Sequence, residues 1–302
     1  MSKNFRSGLV AIVGRPNVGK STLMNHLIGQ KLSITSRRPQ TTRHRILGVA
    51  THSDAQVVYV DTPGIHSMKG RPLNRFMNRA ATGSLEGVDC ILFVISAKEP
   101  WASQDLEIVK LLERAATVPV ILVINKIDQI TDQASLLPLL DDSRKRYEFS
   151  DMVPVSALKA TNLDVLENVI KSKLPEQEAI YPTDQLTDRS ERFLVSELIR
   201  EQVFRQVGQE IPYSVAVGVD QFKEDQNRLV IDATLYVEKK GQKAILIGQG
   251  GARIKSIGQT ARGNISELLG KKVHLNLWVK VRDKWSDDGQ MLNTLGYGEG
   301  DQ

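Results

Sequence analysis

Val13-Gly14-Arg15-Pro16-Asn17-Val18-Gly19-Lys20-Ser21-Thr22 closes the apolar run Leu9–Val13 and leads into the helix-like stretch Ser21–Ile28. Residues 14–21 match G-x-x-x-x-G-K-[ST]. A strand before and a helix after form the context that this motif requires. The glycines let the backbone wrap closely, so N–H groups of the loop and of the helix N-terminus point at phosphate oxygens. Lys20 brings a cation to the outer phosphates, and Ser21 offers a hydroxyl to Mg²⁺. Arg15, Pro16, Asn17, Val18 and Thr22 complete the predicted cradle.

Outward from this loop, short β-branched runs alternate with helix-like stretches. Gln56–Val60, Val88–Ile95, Val118–Ile124 and Met152–Val155 read as buried strands. Ser103–Ala115, Ala134–Tyr147 and Leu163–Leu174 read as helices between them. The alternation predicts an α/β domain with a mostly parallel sheet covered on both faces. Ligand sites in such sheets lie at the C-terminal ends of the strands, and three further motifs fall there. Asp61-Thr62-Pro63-Gly64 follows Gln56–Val60, where Asp61 can hold Mg²⁺ and the Gly64 N–H can meet a γ-phosphate. Asn125-Lys126-Ile127-Asp128 ends another strand. Asp128 can accept two hydrogen bonds from a guanine edge, which adenine cannot supply, while Lys126 lies along the base. Ser156-Ala157-Leu158 follows the last strand and places the Ala157 N–H for the guanine O6. Each of the later motifs alone could be a turn or a cap; four in order cannot be so read.

Together these motifs resemble the translation-factor-related class of P-loop GTPases. The resemblance implies a Ras-like P-loop NTPase fold, GTP and GDP as ligands, and Mg²⁺ held by Ser21, Asp61 and a switch I threonine. In Gln40-Thr41-Thr42-Arg43 that threonine is Thr42, with Thr41 as the alternative. Lys20, Thr42 and Gly64 would serve the chemistry. Many relatives carry a glutamine after the Asp-x-x-Gly glycine to position the attacking water. Here the position is Ile65, which predicts slow intrinsic hydrolysis. In similar GTPases an asparagine at the place of Asn17 ligates an activating K⁺; the alternative is that Asn17 only shapes the loop. His66 reads as a solvated loop residue rather than a catalytic one.

Pro175–Asp188, with two prolines and many acids, reads as a linker. Beyond it the rhythm changes to helix (Asp188–Gln206), strands (Tyr213–Asp220, Arg228–Val237), helices (Gly241–Ile247, Ala252–Leu269) and strand (Val273–Val281), an α+β order αββααβ. The predicted division is a nucleotide domain over 1–175, a linker over 176–187, a second domain over 188–284 and a frayed, Gly-rich tail over 285–302.

Charge separates the two parts. Residues 1–175 hold 23 basic and 16 acidic side chains, a net +7; residues 176–302 hold 17 and 19, a net −2. Within the acidic half, Lys239–Lys284 has 11 basic residues against Glu267 and Asp283, a local +9. Such a window is a candidate polyanion surface. At its centre stands Ile247-Gly248-Gln249-Gly250-Gly251-Ala252-Arg253-Ile254, with G-x-x-G spacing between two helices and Lys243, Arg253 and Lys255 beside it. A glycine corner lets a nucleic-acid backbone approach closely.

This half looks like a type II KH domain. Over nearly its full length the chain is similar to the Era family of bacterial ribosome-assembly GTPases. That match rests on residues 14–22, 40–45, 61–66, 125–128 and 247–254. The resemblance implies a monomer that binds the 3′ end of small-subunit ribosomal RNA, not DNA, and serves small-subunit maturation. It also implies a cytoplasmic place, with peripheral contact at the inner membrane. A GTPase with another client, or an RNA scaffold whose nucleotide site is only structural, are the rival readings. A single cysteine, Cys90, excludes an intramolecular disulfide and reads as a core residue. The histidines at 26, 44, 52, 66 and 274 show no metal-ligand spacing. No run approaches the roughly 18 apolar residues of a membrane span.

Overall fold

The computed structural model describes residues 5–36, 38, 41–63, 86–208, 211–225 and 228–297. They form two compact units that meet in sequence between Asp188 and Arg189.

The first unit holds a six-stranded sheet of β1 (Arg6–Val13), β2 (Ile46–Thr51), β3 (Ala55–Asp61), β4 (Cys90–Ser96), β5 (Val120–Asn125) and β6 (Asp151–Pro154). The order is β2-β3-β1-β4-β5-β6. All neighbours are parallel except β2, which pairs antiparallel with β3. Strands β3, β4 and β5 are buried at every residue, as befits strands covered on both faces. The helices are α1 (Lys20–Ile28), α2 (Ser103–Ala115), α3 (Leu136–Arg144) and α4 (Leu163–Lys173). Strand β1 lies between β3 and β4, so the loop leaving it sits where the strand order reverses, the usual place for a ligand crevice.

Sequence reasoning left β2 unassigned because Ile46–Thr51 carries Gly48 and Ala50, both poor strand formers. The close packing explains the glycine: a Cβ at Gly48 would stand 2.1 Å from the Ile28 side chain of α1. The expected linker also differs from a free tether. Residues 176–187 form a strap bonded to the start of β1 at 176–178, to Gln56 of β3 at 180–181 and to the β2 edge at 186–187. Val49 N donates to Leu186 O (2.9 Å), and Thr187 Oγ1 donates to Leu47 O (2.6 Å). Buried Gln56 accepts through Oε1 from Ile180 N and Tyr181 N (2.8 and 2.9 Å). An otherwise open sheet edge is thereby covered.

The second unit has the order read from sequence: α5 (Glu191–Gln206), β7 (Ala216–Asp225), β8 (Arg228–Val237), α6 (Lys240–Ile247), α7 (Ala252–Leu269) and β9 (Lys272–Val281). Strand β8 is central, antiparallel to β7 and parallel to β9. Its alternate residues Leu229, Ile231, Ala233, Leu235 and Val237 are buried against Val195, Ile199, Leu246, Ile257 and Ile265.

The tail departs from expectation. Residues 285–297 fold into a 3₁₀ turn (Trp285–Asp287) and a short helix α8 (Gly289–Thr294). Trp285 is wholly buried with Ala216, Leu292 and Tyr297, and its indole N–H donates to Ser214 O (2.9 Å). One aromatic anchor outweighs the polar composition that suggested fraying.

Candidate functional site: a nucleotide crevice and a glycine-cornered groove

At the end of β1 the chain turns through Gly14–Gly19 and enters α1. Gly19 has φ +102°, and a Cβ there would stand 2.4 Å from Asn125 Nδ2, so only glycine fits. The buried Lys20 ammonium arches over the loop, donating to Gly14 O (2.8 Å) and Arg15 O (3.0 Å). Burial pushes its pKa down to about 8, against the pull of Asp61 and Asp105. The crevice above is lined by Pro16, Asn17, Lys20, Ser21, Thr22 and Thr42 among others. Arg15 turns away from it, to Glu99 O (2.7 Å) and the buried Asp105 Oδ2 (3.2 Å).

Three oxygen-bearing side chains converge beside Lys20. Ser21 Oγ lies 2.7 Å from Asp61 Oδ2 and 2.9 Å from Thr42 Oγ1. Asp61 is wholly buried, and its Oδ1 has no hydrogen-bond partner. Burial raises its pKa, opposed by Ser33, Lys20 and Ser21. Two hydroxyls and a carboxylate with one uncommitted buried oxygen fit a hard cation such as Mg²⁺. Thr41 is occupied elsewhere, bonded to Ser36 Oγ (2.6 Å) and Arg38 O (2.7 Å), so the geometry favours Thr42 of the two candidates. Thr62 Oγ1 donates to Ile12 O (2.9 Å) and pins the end of β3 to β1; buried Pro63 follows. Gly64, Ile65 and His66 lie outside the described residues.

The loops expected to bind the base are tied by Asn125, the last residue of β5. Its Oδ1 accepts from Lys126 N (2.7 Å) and Ala157 N (2.9 Å), and its Nδ2 donates to Val18 O (2.8 Å). One carboxamide thus joins the phosphate loop to both base-binding motifs, a role that sequence spacing did not reveal. The Ala157 N–H expected for guanine O6 is engaged by Asn125 here, because the two loops close on one another. Lys126 has φ +67°, and its Nζ donates to Asn17 O across the crevice mouth. Asp128 Oδ1 accepts from Ser156 Oγ (2.6 Å), which orients the carboxylate expected to read guanine. Val18 is buried below the loop.

In the second unit, α6 ends at Gly248 with φ +73° and ψ 174°. A Cβ there would sit 2.8 Å from Arg253 Cβ. The corner Gly248-Gln249-Gly250-Gly251 is therefore closed to other residues at its first position. Gln249 and Gly250 are exposed, while Ile247 and Ile254 anchor its two sides in the core. Arg253 Nη1 donates to Ile245 O (2.6 Å) and braces the corner. Lys255 is exposed and Lys243 half-buried. From the corner a groove runs between α7 and β9, lined by Ile254, Lys255, Gly258, Arg262, Leu277 and Trp278. Arg262 follows Lys255 by two helical turns, and Trp278 is 46% exposed. Sequence reasoning missed both. Trp278 lies among apolar neighbours, but alternation along β9 turns Val273, Leu275, Leu277 and Val279 to the core and Trp278 to the opposite face with His274 and Asn276.

Comparison with known proteins follows the same division. Residues 9–126 match the family model described as 50S ribosome-binding GTPase, and residues 210–286 match the KH domain model. The chain is 51% identical over 296 residues to the GTPase Era of Pseudomonas aeruginosa, covering 97% of this chain and 96% of that one. It is 50% identical over 291 residues to the GTPase Era of Marinobacter nauticus, covering 96% and 95%. Among solved structures it is similar to an Aquifex aeolicus Era variant bound to GDP·AlF4⁻, with TM-score 0.94, 42% identity, and 97% and 100% of the two chains covered. An Era complex with MgGDPNP and nucleotides 1506–1542 of 16S ribosomal RNA gives TM-score 0.94 and 42% identity, covering 97% and 99%.

Proposed function

The chain belongs to the Era family of GTPases, and from that premise we propose that it couples GTP hydrolysis to binding of the 3′ end of 16S ribosomal RNA during assembly of the small (30S) subunit. GTP and water become GDP and phosphate. Lys20, Ser21, Thr42 and Asp61 hold the triphosphate and its Mg²⁺. The ion, when bound, neutralises charge that develops on the phosphate oxygens. Gly14–Thr22 cradle the phosphates, Asp61 serves the Mg²⁺, with Thr62 and Pro63 leading on from it, and the Gly64 N–H meets the γ-phosphate. Asn125, Lys126, Asp128, Ser156 and Ala157 form the guanine side. Hydrolysis is slow because Ile65 cannot orient water; a K⁺ held at Asn17 would add positive charge beside the phosphates and speed it.

RNA lies along the glycine corner and the α7–β9 groove. Lys243, Lys255 and Arg262 meet phosphates there, and Ile247, Ile254 and Trp278 meet bases. Gly248–Gly251 and Arg253 set the corner that brings the strand close. The observation that carries the reading is this groove on a chain whose crevice has a complete phosphate loop; the relative solved with 16S rRNA supports it. Residues 1–175 act as the GTPase domain and 188–284 as the KH domain. Switch I (33–45) and switch II (61 to about 71) order around the γ-phosphate and favour the RNA-bound state. The protein acts as a cytoplasmic monomer with peripheral contact at the inner membrane, and among its described residues no helix is long and apolar enough to cross one.

Multiple-turnover hydrolysis tests the enzyme half. It should vanish in Lys20→Ala and run faster in KCl than in NaCl. Equal rates in the two salts remove K⁺ from the scheme, and turnover persisting in Lys20→Ala removes the site.

A further inference from the structure

Asp61 is held by more than the site just described. Asn25, in the last turn of α1, closes a loop onto residues 32–33. Its Oδ1 accepts from Leu32 N (3.0 Å) and Ser33 N (2.9 Å), and its Nδ2 donates to Ser33 O (2.7 Å). Both peptide groups of Ser33 are thus fixed by one side chain. Leu32 and Ile34 are buried on either side, and Ser33 itself is wholly buried. From that position Ser33 Oγ donates to Asp61 Oδ2 (2.6 Å), the same oxygen that Ser21 Oγ reaches at 2.7 Å. Asp61 Oδ1 is the oxygen left without a partner.

A carboxylate turns readily about its last bond, where the torsional preference is broad. Two hydroxyls on one oxygen fix that rotation and leave the other oxygen uncommitted. Groups that orient a metal-binding carboxylate in this way commonly change metal affinity by about 10–100-fold.

We infer that Asn25 and Ser33 are positioning residues for the divalent cation of the GTPase site: Asn25 holds Ser33, and Ser33 turns the Asp61 carboxylate so that Oδ1 is kept for the ion. The inference rests on the reading of Asp61 as a Mg²⁺ residue. It also makes Ser33 the fixed root of switch I, since the chain from 33 to Thr42 starts at a point clamped to α1.

The test is the release rate of a fluorescent GDP from the full-length protein, followed against free Mg²⁺ from excess chelator upward. In chelator, Ser33→Ala is expected to release GDP at the wild-type rate. The Mg²⁺ concentration that half-slows release should rise by about 10–100-fold. Ser33→Thr, which returns the hydroxyl, should recover most of the shift, and Asn25→Ala should reproduce it. A wild-type Mg²⁺ midpoint in both Ser33→Ala and Asn25→Ala overturns the inference. So does release that quickens equally with and without Mg²⁺, the mark of general loosening. Wild-type release that ignores Mg²⁺ would instead defeat the underlying assignment of Asp61.

Discussion

Replacing Asn125 by alanine removes three hydrogen bonds at once. The change strands the Val18 carbonyl and the Ala157 N–H, whose bonds to Asn125 are buried, and frees the part-buried Lys126 N–H. A buried polar group left without its partner costs about 1–3 kcal/mol. Two such groups put the loss at about 3 kcal/mol or more, before any cavity is counted. In a unit of this size that lowers the melting temperature by roughly 6–12 °C. The same three bonds register the phosphate loop against the loops at 126–128 and 156–157, which are proposed to hold the base, so GDP affinity is expected to fall too. If about 3 kcal/mol appears in binding, the dissociation constant rises about 100-fold. Asn125→Asp keeps the two acceptor bonds but loses the donor to Val18 O, and adds a buried charge; it is expected to fall no less. Melting of the free protein and titration with labelled GDP read both effects. An unchanged melting point together with a GDP affinity within twofold of wild type would refute the reasoning, because the bonds would then carry neither stability nor register.

The pH dependence of GDP binding follows from Lys20. Phosphate favours its ammonium form, and burial brings its pKa down to about 8 in the free protein. Affinity is therefore full below that pKa and falls as pH rises through it, by up to about tenfold per unit; titrations from neutral into alkaline solution check the sign, and a flat profile contradicts it. Trp278→Ala should weaken RNA binding by about 1–3 kcal/mol, the usual worth of one stacked base, with GTP turnover unchanged, as parallel filter-binding and turnover assays would show. Trp285→Ala empties a wholly buried site and should destabilise the second unit by about 3 kcal/mol or more, read by chemical denaturation, while GDP affinity stays at the wild-type value.

Most of the architecture was legible because period and punctuation agree. Helices Ser103–Ala115 and Ala252–Leu269 and strand Arg228–Val237 have the expected bounds, since apolar spacing and flanking loops mark both ends. Strand β2 was hidden by its small residues, whose reason is the packing of Ile28 over Gly48. The strap over 176–187 looked like a tether because prolines and acids mark loops whether or not they are bound; it is held by buried Gln56 together with bonds to Ser7, Leu47 and Val49, partners that no local pattern announces. The tail reads as frayed until Trp285 finds Ser214 O, a partner 71 residues away in sequence.

The site divides in the same way. Lys20 and Ser21 stand together because the phosphate loop fixes residue type and spacing, and Thr42 and Asp61 reach Ser21 from two other segments. What spacing could not supply were the residues that tie motifs to each other. Asn125 bonds the loops, Ser33 holds Asp61, and Arg15 leaves the crevice for Asp105. In the second unit the glycine corner was visible in the sequence, whereas Arg262 and Trp278 became part of the groove only when α7 was laid against β9.

Binding of labelled RNA from the 3′ end of 16S rRNA is the decisive measurement, made at one stated salt concentration with GDP and with a non-hydrolysable GTP analogue. Coupling between crevice and groove predicts tighter binding with the analogue. Equal binding in the two states would contradict that coupling, and no binding in either would contradict the RNA assignment itself.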